Sequence, residues 1–359
     1  MTTSTGGFDR VKALKEFDDT KAGVKGLVDS GITTIPAIFR HPHLHHDLSP
    51  AASHLSIPTV DLSLPRSTVI DHIVSASKQW GFFQVVNHGI PLSAIENTIS
   101  AIRSFHELPA DVRSQHYTRE RVGGVSYSSN LDLFRARAAS WRDTVQIHMG
   151  PVRPEVDRIP AVCRAETLAW DEHAKEIARE VMGMMCEGLG LDTRRMEEMS
   201  CLEDRLMVCH YYAPCPEPDR TFGIVDHTDA AVLTVLIQDM IGGLQVKKEE
   251  DGKEVWVDVK PIPGALVINV GELLQIISND IYKSAGHRVV ANSHQDARVS
   301  IAIFYNPGKR GESDLYGPLP ELISSEKGAF YQNFTISEYM GAFISKELRS
   351  KTLVEQFKL

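Results

Sequence analysis

Three places in the chain put an acid two residues after a histidine: His45/Asp47, His227/Asp229 and His294/Asp296. The sequence holds 15 His and 47 Asp plus Glu in 359 residues, so about two such pairs arise by chance and context must separate them. The first lies among His41, Pro42, His43, His46 and Pro50 with no hydrophobic period, which reads as an exposed linker. The third falls in the short connection 293–297 before a strand, where both side chains face water. His227-Thr228-Asp229 differs because it ends the apolar run Phe222 to Val225 and directly precedes Ala231 to Ile237. Positions i and i+2 of a strand share a face, so imidazole and carboxylate project together into a barrel interior. Burying a lone carboxylate is expensive unless a cation compensates it. A structural His–Asp hydrogen bond would satisfy the same pair, so a further ligand has to decide.

His287 supplies one. It follows Gly286 and opens the strand-like His287-Arg288-Val289-Val290, far enough downstream to return across a sheet. Two imidazoles and one carboxylate leave adjacent positions of an octahedral ion open, the arrangement of non-haem Fe(II) oxygenases, whereas zinc prefers a four-coordinate site. Arg298-Val299-Ser300 follows, with Arg298 and Ser300 again on one strand face. Inside a barrel an Arg needs an anionic partner, and its planar fork beside a hydroxyl suits a carboxylate. In an oxygenase that carboxylate is the far end of a 2-oxo diacid cosubstrate.

The elements that must hold these residues are legible in outline. Between Arg205 and Asn306 eight short β-prone runs crowd together: Leu206–Tyr212, Phe222–His227, Val232–Ile237, Leu244–Lys248, Val255–Val259, Ala265–Val270, Arg288–Ala291 and Val299–Tyr305. A single helical patch, Glu272 to Ile277, interrupts them. Strands so dense argue for an antiparallel barrel or jelly roll over a parallel sheet. The first half alternates. Phe8, Val11, Leu14 and Phe17 predict an N-terminal helix reaching Ser30-Gly31; helices follow from Val69 to Trp80, after Pro91, and from Glu166 to Leu189, with strands at Ile57–Leu62 and Phe82–Val86. A last helix carries Tyr339, Phe343 and Leu348. The expected organisation is 1–55 as N-terminal helix and polar linker, 56–200 as a helical and strand region, 201–310 as the core, and 311–359 as loop and helix, in one unit.

Composition narrows the function classes. Hydrophobic residues are 42% and the net charge is −9, which supports a packed core and offers no long-range attraction to nucleic acid or anionic membrane. Five cysteines without a Cys-x-x-Cys pair read as reduced thiols. The polar N-terminus fits neither a signal nor a transit peptide, and no apolar run approaches a membrane span. A cytoplasmic monomer without an obligate protein partner is expected.

The pattern His227/Asp229, His287 and Arg298/Ser300 resembles the plant-type Fe(II)/2-oxoglutarate-dependent dioxygenases. Trp80-Gly81-Phe82-Phe83 through Asn87-His88-Gly89-Ile90-Pro91, Tyr211 to Pro216, and Gly242-Gly243-Leu244 are also similar to that family, over roughly residues 55 to 345. Phe17 to Gly26 resembles the subgroup of 1-aminocyclopropane-1-carboxylate oxidase homologues, which act mostly in specialised metabolism. The resemblance implies a mixed α+β fold, a double-stranded β-helix (jelly-roll) core surrounded by N-terminal and C-terminal helices. It implies Fe(II) on His227, Asp229 and His287, and 2-oxoglutarate held by Arg298, Ser300 and Tyr212, with dioxygen consumed and ascorbate as reductant. His210 stands where many members have Asn and reads as a pocket-wall residue; His88 reads as structural.

For the substrate, Phe304 on the face of Arg298, Val208 on the strand of Tyr212, and Val125 and Tyr127 in the Gly-rich loop 122–129 are the pocket candidates. With no obvious extra cation among them, they suggest a small hydrophobic or aromatic molecule that is hydroxylated, desaturated or demethylated as succinate and carbon dioxide are released. Other readings stay open: an ascorbate-dependent oxidase of the aminocyclopropane carboxylate type, a zinc hydrolase, and a small-molecule-binding module without chemistry.

Overall fold

The computed structural model describes residues 8–41, 51–120, 124–326, 328–345 and 352–359. Twelve strands build its core: β1 (Thr59–Asp61), β2 (Phe82–Val86), β3 (Val125–Ser129), β4 (Asp143–Gly150), β5 (Asp204–Tyr212), β6 (Phe222–His227), β7 (Leu233–Gln238), β8 (Leu244–Glu250), β9 (Lys253–Asp258), β10 (Leu266–Val270), β11 (His287–Val290) and β12 (Arg298–Asn306). They form an eight-stranded sheet in the order β1-β2-β10-β7-β12-β5-β4-β3 and a four-stranded sheet in the order β6-β11-β8-β9. All neighbours are antiparallel except β1 and β2. This is the jelly roll expected from the density of short strands, and all eight predicted runs are strands.

Strand alternation explains why a polar interior forms. On β12, Val299, Ile301, Ile303 and Tyr305 are fully buried and alternate with Arg298, Ser300, Ala302 and Phe304. On β5, Met207, Cys209 and Tyr211 alternate with Val208, His210 and Tyr212. The first set of each joins the main hydrophobic cluster with residues of the Leu92–His106 and Arg164–Gly188 helices, such as Phe105, Trp170 and Val181. The second set therefore faces the barrel interior. A smaller cluster that includes Phe82, Tyr212, Leu244, Val246 and Val289 fills part of that interior.

Two local expectations are corrected. The N-terminal helix is two helices, Arg10–Asp19 and Gly23–Asp29. The chain turns through positive φ at Lys21 and Gly23, and a Cβ on Gly23 would lie 2.6 Å from the Asp143 carboxylate. Leu14 and Phe17 are buried as predicted, but Phe8 and Val11 are exposed. β4 lies outside the expected strands, because its Thr-Val-Gln-Ile-His-Met alternation is a period-two signal interrupted by polar residues. The helix predicted near the C-terminus spans Ile336–Ser345; Leu348 lies outside the described residues, as do His43, His45, His46 and Asp47 of the predicted linker.

One backbone approach fixes the metal-side loop. Gly271 donates its N–H to Val232 O at 3.0 Å, and a Cβ there would lie 1.7 Å from Ala231 O. Gly271→Ala is expected to destabilise by about 1–3 kcal/mol through forced overpacking, read as a lowered urea midpoint. An unchanged midpoint would show that the turn can shift freely.

Candidate metal and cosubstrate centre

β6 and β11 pair with His227 directly opposite His287. Their ring centroids are 4.2 Å apart. Asp229, just past the end of β6, completes the cluster: its Oδ1 is 3.6 Å from His227 Nε2 and 3.5 Å from His287 Nε2. One ligand atom from each of the three lies within 4.8 Å of the others, the one such group among the described residues. Strand pairing brings the two histidines together, whereas Asp229 joins them from the loop after β6 and not, as expected, from the same strand face.

The surrounding hydrogen bonds select the ligating atoms. His227 Nδ1 lies 2.9 Å from Val225 O and His287 Nδ1 lies 3.2 Å from Ala285 O. A carbonyl accepts, so each Nδ1 donates and each Nε2 can offer its lone pair toward Asp229. The other carboxylate oxygen, Oδ2, accepts from Thr234 Oγ1 at 2.9 Å and Asn269 Nδ2 at 2.8 Å, leaving Oδ1 for the centre. Burial, then the neighbouring His287, holds His227 down to about 4, so it is neutral at pH 7. Burial opposes ionisation of Asp229, but the two imidazoles and Asn269 outweigh it and keep the carboxyl below its ordinary range. For His287 burial works against charge, and the adjacent Asp229 reverses it, raising the group.

The loop between the ligands is clamped from behind. Thr228 Oγ1 donates to Glu272, whose other oxygen accepts from Leu353 N at 3.0 Å. Glu272 N donates to Asp229 O at 2.7 Å, and Tyr339 Oη donates to Ala230 O at 2.8 Å. The C-terminal segments thereby brace the metal loop. Asn269→Ala, which removes an outer partner of the carboxylate, is expected to weaken metal binding about 10- to 100-fold. Competition against a chromophoric chelator measures this, and unaltered affinity would remove Asn269 from the support of Asp229.

Arg298 pairs in register with Tyr212, and Ser300 with His210 and Gln238. The guanidinium is 2% exposed. Its Nη2 donates to Gln238 Oε1 at 2.8 Å, Nη1 contacts Ser300 Oγ at 3.3 Å, and it lies 4.8 Å from the Tyr212 ring centroid. Its Nε has no partner, nor has Gln238 Nε2. A buried cation with an orphaned Nε and no ion pair to an acid among the described residues fits an incoming carboxylate. A cavity of about 310 Å³ between Gly242-Gly243, Pro261 and Asn292 is lined by Arg298. The donor set also fits iron: two imidazole Nε2 atoms and one carboxylate, with no fourth protein ligand among the described residues to close the site.

The remaining candidates separate by strand parity. Val208 pairs with Ala302 and Gln146, and Phe304 with Leu206 and Thr234, so both stand on the inner face. Val125 and Tyr127 do not. They belong to β3, not to a loop, and pair with Ile147 and Val145 on the outer face; Tyr127 packs against Phe105, His106 and Tyr117. The residues of β3 that turn inward are Ser126 and Ser128. Their partners Gln146 and Thr144, missed with β4, line the same face. His210 sits there too, its Nδ1 2.9 Å from Thr144 Oγ1. His88 is structural, with Nε2 2.8 Å from Gly264 O and Nδ1 accepting from Ile90 N.

Comparison with known proteins places these features in a family. Residues 203–307 match the 2OG-Fe(II) oxygenase superfamily, and residues 57–162 match the model described as non-haem dioxygenase in morphine synthesis N-terminal. The chain is 43% identical to 1-aminocyclopropane-1-carboxylate oxidase homolog 1 of Arabidopsis thaliana, covering 94% of this chain and 93% of that one. It is also 43% identical to homolog 4 of the same plant, covering 98% and 99%. Among solved structures it resembles JOX2 in complex with 2OG, Fe and JA, with a TM-score of 0.82 and 29% identity over 94% of this chain and 97% of that one. The rice dioxygenase for auxin oxidation shares the fold, with a TM-score of 0.71 and 24% identity over 84% and 100%.

Proposed function

The chain belongs to the 2OG-Fe(II) oxygenase superfamily and to its 1-aminocyclopropane-1-carboxylate oxidase homologues, and from this we propose that it hydroxylates, desaturates or demethylates a small specialised metabolite. The class is a non-haem Fe(II)- and 2-oxoglutarate-dependent dioxygenase using dioxygen. His227, Asp229 and His287 would hold the metal; Arg298, Ser300 and Tyr212 would hold the far carboxylate of 2-oxoglutarate. The chemistry supplied there, once both are bound, is oxidation of a C–H bond coupled to conversion of the 2-oxo acid to succinate and carbon dioxide. The chain's own part is placement. Asn269 and Thr234 orient Asp229, backbone carbonyls orient both imidazoles, and Arg298 fixes one end of the cosubstrate. Phe304 and Val208 offer apolar surface to the substrate from the inner face.

The observation that carries this reading is the buried Arg298, with an orphaned Nε and no acidic partner among the described residues, on the same barrel interior as the open ligand cluster. It also weighs against a zinc hydrolase, which has no use for a diacid, and against a binding module without chemistry. The relatives' designation as aminocyclopropane carboxylate oxidase homologues raises an ascorbate-dependent oxidase as the second reading. Labelled 2-oxoglutarate decides: succinate and carbon dioxide formation with Fe(II) and oxygen is expected. Strict ascorbate dependence without succinate would overturn the reading. Untargeted metabolite screening, for products one oxygen heavier or two hydrogens lighter, then identifies the substrate. No described helix is long and apolar enough to cross a membrane; a cytoplasmic monomer acting with ascorbate as reductant is part of the same proposal.

A further inference from the structure

The barrel interior holds a second cation that neither the metal cluster nor the cosubstrate residues account for. Arg142 directly precedes β4 and shares the inward parity of Thr144, which pairs with His210. It is 5% exposed. Nη1 donates to Gly223 O at 2.9 Å, and Nε is buried without a partner. Gly223 belongs to β6, the strand that ends in His227, and a Cβ on it would lie 2.8 Å from the Tyr212 ring. Arg142 is thus tied to β6 through Gly223, whereas Arg298 lies over the Tyr212 ring from β12.

No described carboxylate neutralises Arg142. Asp143, next in the chain, has the opposite parity and accepts from Val24 N and Lys25 N, both at 2.8 Å. Asp226 is held by Lys247 Nζ at 2.7 Å, and Asp229 is committed to the imidazoles, Thr234 and Asn269. His210 cannot act as a neighbouring charge: burial, then Arg142 itself, holds it well below its ordinary value. A guanidinium so enclosed, with one backbone acceptor, is costly unless an anion compensates it. The far carboxylate of 2-oxoglutarate is already provided for at Arg298 with Ser300 and Gln238.

We propose that Arg142 anchors a carboxylate of the substrate, so that the molecule oxidised is a small organic acid held by its charged end while its apolar body lies against Val208 and Phe304. The proposal rests on the dioxygenase reading above and revises the expectation of a pocket without a further cation. The fork geometry of Arg142 matches a planar carboxylate.

Protein loaded with Mn(II) and 2-oxoglutarate, which does not turn over, allows a direct test with para-fluorophenylacetate and its neutral amide as probes. Fluorine line broadening should show the acid binding at least about tenfold more tightly than the amide. Arg142→Met should erase that preference, Arg142→Lys should restore part of it, and 2-oxoglutarate affinity by calorimetry should change less than about twofold in either variant. The anchor is overturned if acid and amide bind wild type alike, if neither binds by about 10 mM, or if Arg142→Met keeps the preference. It is equally overturned if that variant weakens only 2-oxoglutarate. Should Arg142→Met fail to fold, the wild-type comparison and Arg142→Lys still decide. Failure of wild type to bind Mn(II) and 2-oxoglutarate at all would undo the dioxygenase reading itself, whereas binding of both without acid preference undoes only the anchor.

Discussion

Asp229→Ala protein is expected to retain no measurable iron after reconstitution and to release no succinate from 2-oxoglutarate. Loss of a partner that merely orients a ligand costs roughly 10- to 100-fold in metal affinity, and Asp229 is the one carboxylate of the cluster. Its removal also strands Thr234 Oγ1 and Asn269 Nδ2, which now share Oδ2. His227→Ala should behave alike, because the opposed imidazoles across β6 and β11 act as a pair. Asp296→Ala is the informative control. It alters the same His-x-Asp spelling, but His294 and Asp296 are both exposed, and metal content should be unchanged. Metal analysis of the variants side by side tests the assignment; wild-type iron content in Asp229→Ala would end it.

Arg298→Met should raise the 2-oxoglutarate KM steeply while leaving metal content intact. Truncating one partner of a buried charge pair costs about 2–5 kcal/mol, or roughly 30-fold and upward in affinity. The stability effect has the other sign. In the cofactor-free chain Arg298 is buried with Nε orphaned and no acid beside it, so replacing it with an apolar residue of similar length removes a desolvation cost. The cofactor-free variant should melt no lower than wild type. Arg298→Lys should recover only part of the affinity, because a point charge does not reproduce the two-pronged fork. A small KM change together with a large fall in melting temperature would mark Arg298 as a structural residue.

Much of the site is legible in the amino-acid order because the cosubstrate residues obey strand periodicity. Arg298 and Ser300 sit two apart on one strand, and a period of two leaves little freedom over which residues share a face; Asp229, two residues after His227, lies past the end of β6 and reaches the cluster from the following loop. The outer rows of β5 and β12 were equally plain, since Met207, Cys209, Val299 and Ile301 alternate with residues that have polar or small side chains. The errors came where periodicity was weak or its sense ambiguous. β4 hides among Asp143, Thr144, Gln146 and His148, so its inward residues, with Arg142 beside them, were passed over. Val125 and Tyr127 were placed in the pocket although they face the helices; the inward pair is Ser126 and Ser128.

What the amino-acid order decided on its own was which side chains travel together along each strand, and hence the ligand types and their pairing by twos. Which of the two faces became the interior, and that His287 lands opposite His227 with Arg298 beside Tyr212 and Arg142 on Gly223 O, was decided only by packing. Parity is a property of a single strand, whereas inside and outside are set by the register with neighbouring strands and by the helices that cover one side.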